Sequence, residues 1–212
     1  MTIQIYLSII VVVLAIGFVM SITLGYHVLK DDYREKLKQD ISYEQMLESE
    51  QVISHFLTQH NIKKNGSIAK IADVFKVKQG GDEPGLTSQA YLKEPNWKKE
   101  QIVVFKPGLP EEEKTFAFVH EIAHLINGDP SPATRPLGRH KSEIEQRADY
   151  VAAALLMPLN EIYDYLLEVN YKNISTRNKK IVISQLSKKY RVTDIVVIRR
   201  IREVYTLKEQ DN

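Results

Sequence analysis

Pro110-Glu-Glu-Glu-Lys-Thr-Phe-Ala-Phe-Val-His120-Glu-Ile-Ala-His124-Leu-Ile-Asn127-Gly128 is the stretch that decides the fold. Proline fixes φ where a helix can begin, and Glu111, Glu112 and Glu113 set negative charge against the positive helix end. Phe116, Val119, Ile122, Ala123 and Ile126 recur at helical spacing, and Gly128 suits a C-cap, which predicts a helix to about Asn127. Two histidines four apart, His120 and His124, lie on one face about a turn apart, so both imidazoles can reach a single zinc ion. Glu121 projects from the adjoining face, placed to take a proton from an attacking water without being a ligand. At this chain's own His and Glu frequencies an HExxH arises by chance about 1% of the time, and a chance match has no reason to fall inside a capped, core-facing helix.

A catalytic zinc takes three protein ligands and leaves a fourth position open, so a third donor is required downstream. Asp129, His140, Glu143, Glu145 and Asp149 are the candidates. Ser142 as N-cap and the apolar series Ile144, Ala148, Val151, Ala152, Leu155, Leu156 predict a second helix ending before Pro158. Glu145 and Asp149 then share a face. One carboxylate can bind metal while the other accepts the free ring N–H of a ligating histidine. Ser142-x-x-Glu145 also fits a capping box, but beside the upstream motif the ligand role for Glu145 is favoured. His140, in the loop from Pro132, would alternatively complete a three-histidine site.

Glu145-Gln-Arg-Ala-Asp149 resembles the ExxxD helix of thermolysin-like gluzincins, and the twenty residues between His124 and Glu145 suit that arrangement. Thr115-Phe-Ala-Phe-Val-His-Glu-Ile-Ala-His-Leu-Ile followed by Glu145-x-x-Ala-Asp-Tyr-Val-Ala-Ala-Ala-Leu-Leu-Met-Pro158 is similar, more closely, to the ImmA/IrrE metallopeptidases. In layout the likeness extends over roughly residues 45–205, and its sharp motifs lie on the two metal-site helices. Asp149 stands where that family usually has Asn, and Val151 where it usually has Phe. The resemblance implies a minimal zincin domain holding one Zn2+ through His120, His124 and Glu145, with Asp149 behind a ligand and Glu121 as general base. It also implies a protein substrate, of the helix-turn-helix repressor class, aligned along a strand edge. An oxyanion stabiliser is expected near the metal, and His140, Arg147 and Tyr150 are the candidates.

Before the motif, apolar residues at Met46, Val52, Ile53, Phe56 and Leu57 predict a helix ending before Asn61, and Ser67 is a plausible cap for a second. Gly80-Gly-Asp-Glu-Pro-Gly85 reads as a turn or loop, and 86–92 and 101–105 read as strands of a small antiparallel sheet. After the motif, Ile183 to Ile201 reads as helix, short turn at 192–194, helix, the outline of a helix-turn-helix. Lys188, Lys189, Arg191, Arg199, Arg200 and Arg202 make a DNA contact conceivable there, but 29 basic against 27 acidic residues give a net charge of only +2, so direct nucleic-acid binding is not expected. The pair is read as part of the peptidase body.

From Ile3 to Gly25 the chain carries no charge and is apolar on all sides between Ile9 and Met20, long enough to span a bilayer. No basic residue precedes this run, whereas Lys30, Arg34, Lys36 and Lys38 follow it, which predicts an uncleaved anchor with the N-terminus outside and the remainder cytoplasmic. The expected organisation is a transmembrane helix at 3–25, a charged linker at 26–42, a mainly helical α+β peptidase core at 43–170 and a helix-turn-helix-like pair at 171–212. The absence of cysteine excludes a thiol nucleophile, a Cys-rich zinc site and a redox role. The competing class is a membrane-tethered DNA- or protein-binding regulator with a structural or vestigial metal site; an intact Glu121 speaks against it, because a structural site needs no general base.

Overall fold

The computed structural model describes residues 41–63, 68–93, 100–129 and 143–210. The predicted span at 3–25 lies outside the described residues, as do most of the charged linker, Ser67, His140 and Ser142. Among the described residues no helix is long and apolar enough to cross a membrane. All of them belong to the unit Asp40–Asn212.

Helix α1 (Tyr43–Gln59) starts with a reciprocal cap: Gln45 N–H donates to Ser42 Oγ at 3.2 Å and Ser42 N–H donates to Gln45 Oε1 at 3.0 Å. Its buried stripe is Met46, Ser49, Ile53, Phe56 and Leu57. Helix α2 (Ile68–Phe75) follows, then strands β1 (Val77–Asp82), β2 (Ala90–Lys93) and β3 (Gln101–Phe105). The sheet order is β1-β3-β2, with β1 parallel and β2 antiparallel to β3. It is therefore mixed, not antiparallel as the sequence suggested. The unexpected strand is β1, whose Gly80 and Gly81 read as turn residues. A Cβ at Gly80 would sit 2.6 Å from Ile102 Cγ2, so the glycine serves close approach of the two backbones, beside a bulge between Gln79 and Asp82.

Helix α3 (Glu111–Asn127) carries the histidine motif. Pro110 occupies the cap position, one residue before the predicted N1, where its missing N–H costs nothing. The helix closes on Gly128 at φ 69°, in the left-handed region that a glycine adopts without strain. Helix α4 (Glu143–Leu156) packs on α3 and is buried around most of its circumference from Ala148 to Leu155, the pattern of a central helix. Helices α5 (Leu159–Glu168), α6 (Thr176–Tyr190) and α7 (Asp194–Gln210) complete the chain.

Two hydrophobic clusters result. The first joins α1, α2, the sheet, α3 and α4, with Ile71, Val103, Phe105, Val119, Ile122 and Val151 nearly sealed from solvent. The second joins Ala153 and Met157 to Ile162, Leu166, Leu186, Val197 and Val204 of the last three helices. Between α6 and α7, Arg191 takes a left-handed conformation and Val192 is fully buried in the turn. The predicted helix-turn-helix outline is thus present, and its interior is part of the second cluster.

Candidate metal centre

One turn apart on α3, His120 and His124 set their rings edge to face, with centroids 4.7 Å apart. Glu145, in the first turn of α4, reaches them from the facing helix. His120 Nε2 lies 3.1 Å from His124 Nε2 and 3.1 Å from Glu145 Oε2, and His124 Nε2 lies 3.5 Å from Glu145 Oε1. These three are the group among the described residues whose ligand atoms converge closely enough to hold one metal ion.

The other nitrogen of each ring has its own carboxylate. His120 Nδ1 is 2.9 Å from Asp149 Oδ1, and His124 Nδ1 is 2.8 Å from Asp129 Oδ2. Asp149 lies one turn after Glu145 on α4. Asp129 is brought back by the end of α3, where left-handed Gly128 reverses the chain and Asp129 N–H donates to His124 O at 2.9 Å. An imidazole that donates Nδ1–H to a carboxylate presents Nε2 as a lone pair. In that neutral tautomer two such lone pairs and a carboxylate oxygen face one another, an arrangement of acceptors that a cation stabilises, whether a metal ion or a proton on Nε2.

Zinc fits this donor set. Nitrogen and oxygen ligands at about 2.0–2.1 Å from a tetrahedral ion stand about 3.3 Å from each other, and the separations here straddle that value. The site also favours positive charge in general. Burial works against a charged His120, but hydrogen bonds to Asp149 and Glu145 outweigh it and raise the ring to about 9. Hydrogen bonds from His120 and His124 hold Glu145 well below the usual carboxylate range.

Glu121, between the two histidines in sequence, is buried at 6% exposure, and its charge is among those that His120 feels. The family model of the IrrE N-terminal-like domain (Peptidase M78) matches residues 83–202, more than half of the chain and the whole of this cluster. The chain belongs to the IrrE N-terminal-like domain family. No curated protein matches it significantly. Among solved structures, a Mycobacterium tuberculosis transcriptional regulator shares 15% identity over 80% of this chain and 50% of its own, with a TM-score of 0.43. The chain thus spans about half the length of that regulator, and at this score the likeness carries no inference.

Within this IrrE-like domain the remaining sequence candidates separate. Arg147 Nη2 stands 3.8 Å from Asp129 Oδ1 with its side chain 39% exposed, so it adjoins the cluster from outside. Tyr150 does not join it. Its hydroxyl donates to Glu50 Oε1 of α1 at 2.8 Å, the residue is 1% exposed, and burial pushes the phenol upward, which keeps that donor protonated. Glu143, an alternative third ligand, is exposed at the start of α4. Asp129, also an alternative ligand in the sequence, is instead the acceptor behind His124. The residue that sequence reasoning assigned elsewhere is Arg199, whose guanidinium Nη1 donates to Asp149 Oδ2 at 2.9 Å. Its neighbour Arg200, fully buried, donates to Glu50 Oε1 at 3.0 Å and to Met157 O at 3.0 Å.

Proposed function

We propose that this chain is a zinc-dependent endopeptidase that hydrolyses peptide bonds of a protein substrate. The observation that carries the reading is the triangle of His120, His124 and Glu145 with a carboxylate behind each histidine. Zinc held by those residues would supply a Lewis acid for the scissile carbonyl and lower the pKa of a water. The chain supplies the rest. Asp149 and Asp129 fix the tautomer and orientation of the two rings, Glu145 completes the donor set, and Glu121 accepts a proton from the attacking water and returns it to the leaving amine. The substrate class we favour is a helix-turn-helix repressor, on the strength of the family resemblance. We also propose that residues 3–25 anchor the chain in a bilayer with the domain in the cytoplasm, supported by the uncharged apolar run and the basic residues that follow it.

The burial of Arg199 and Arg200 against Asp149, Glu203 and Glu50 supports a structural role for the C-terminal pair over a DNA-binding one, because those two cations point into the protein and not toward a phosphate backbone. The test is zinc content and cleavage of candidate repressors by wild type and Glu121→Gln. Both should hold zinc and only the wild type should cleave; equal cleavage by the two would sink the assignment. A reporter fused after Asn212 should give a cytoplasmic signal, and an outer-face signal would overturn the topology.

A further inference from the structure

Arg199 lies on α7, far along the chain from the histidine motif, yet it closes a three-residue relay onto it. Asp149 offers one carboxylate oxygen to His120 Nδ1 at 2.9 Å and the other to Arg199 Nη1 at 2.9 Å. Asp149 and Arg199 are both largely withdrawn from solvent, with side chains 6% and 15% exposed. Among the described residues Asp149 takes the one hydrogen bond of the Arg199 fork; the guanidinium otherwise stands 3.6 Å from Glu203 and over the ring of Phe116, one turn before His120. A cation buried at this depth is costly unless a specific anion receives it. Here the anion is the carboxylate that orients a ligand.

We propose that Arg199 is a positioning residue of the metal site, acting through Asp149: it fixes the carboxylate so that the second oxygen stays aligned with His120, and it thereby ties the C-terminal helix pair to metal affinity. The inference rests on the zinc reading of the site. Without the guanidinium, Asp149 Oδ2 would lose this donor, and the alignment of Oδ1 with His120 Nδ1 would lose the constraint that the planar fork imposes. A role in mere charge balance would affect stability and leave metal affinity to the ligands.

The experiment is a double-mutant cycle on the full-length chain in detergent, reading zinc affinity by chelator competition and the visible spectrum of the cobalt-substituted protein. Arg199→Gln should weaken zinc about 10- to 100-fold, as loss of an outer partner does elsewhere, and should shift the cobalt bands. In an Asp149→Asn background the same substitution should have little further effect. Arg199→Lys, which keeps the charge but not the planar fork, should fall between, and it carries the test if Arg199→Gln does not fold. Arg202→Gln, exposed on the same helix, should bind zinc as wild type. Wild-type affinity in folded Arg199→Gln or, failing that, in Arg199→Lys, or full additivity with Asp149→Asn, would overturn the proposal. A wild-type chain that binds no zinc would instead overturn the metal reading itself.

Discussion

Asp129 and His124 are joined at 2.8 Å, Oδ2 to Nδ1, with side chains only 4% and 1% exposed. The pair depends on the reversal at Gly128, which returns the chain to the helix it has just left. Replacing Asp129 by Ala should leave His124 without its acceptor and weaken zinc about 10- to 100-fold. Asp129→Asn, which keeps one acceptor oxygen, should lose less. Equilibrium dialysis against zinc measures both.

The reversal itself is open to test at Gly128. Among the described residues no atom beyond its chain neighbours lies within 4 Å of where its Cβ would be, so the cost of Gly128→Ala is that of the left-handed backbone. That should amount to about 1–2 kcal/mol in urea denaturation. A neutral result would mean that the backbone there can relax.

Proton competition at His120 gives a pH dependence with a definite sign. Two carboxylates raise this ring to about 9, so at neutral pH a proton must leave before a metal ion takes Nε2. Zinc affinity should therefore climb with pH, by about tenfold per unit, and level off above about 9. The same shift, read against an ordinary value of 6.5, stabilises the metal-free fold fully below pH 6.5 and is lost as pH rises through about 9. Calorimetry in buffers of differing ionisation heat should find proton release on zinc uptake at pH 7.5; no release would contradict the assignment.

Arg200 and Tyr150 meet on Glu50 and bind α1, α4 and α7 to one another. Arg200→Leu leaves Glu203 and Glu50 without their shared cation and should cost about 3–5 kcal/mol. Tyr150→Phe should cost about 1 kcal/mol and leave zinc affinity and turnover unchanged, since its hydroxyl is occupied at Glu50. A large fall in turnover would return Tyr150 to the reaction.

How far the sequence foretold this arrangement depended on whether the signal was local. The span of α3 and the shared face of Glu145 and Asp149 follow from helical periodicity, which needs only neighbours along the chain. The end of α3 was legible at Gly128, but what the reversal delivers was not: Asp129 looked like one more candidate ligand until its side chain was placed behind His124. Strand β1 was hidden because its two glycines carry a turn signal, and the close approach of Gly80 to Ile102 depends on a strand twenty residues later. Arg199 and Arg200 read as a basic face because charge in a sequence has no direction. Their acidic partners lie on α1, on α4 and on α7 itself, and only the packing of the helices turns these cations inward.

Along α4, Ala152 and Ala154 belong to the first hydrophobic cluster, whereas Ala153 between them belongs to the second. One helix is the party wall of two rooms, and its methyl groups are the plaster on both sides. Neither room can be rebuilt without disturbing the other, so the C-terminal pair is no detachable annex that a lineage could exchange for another recognition element. Glu145 and Asp149 stand on that same wall, at its near end.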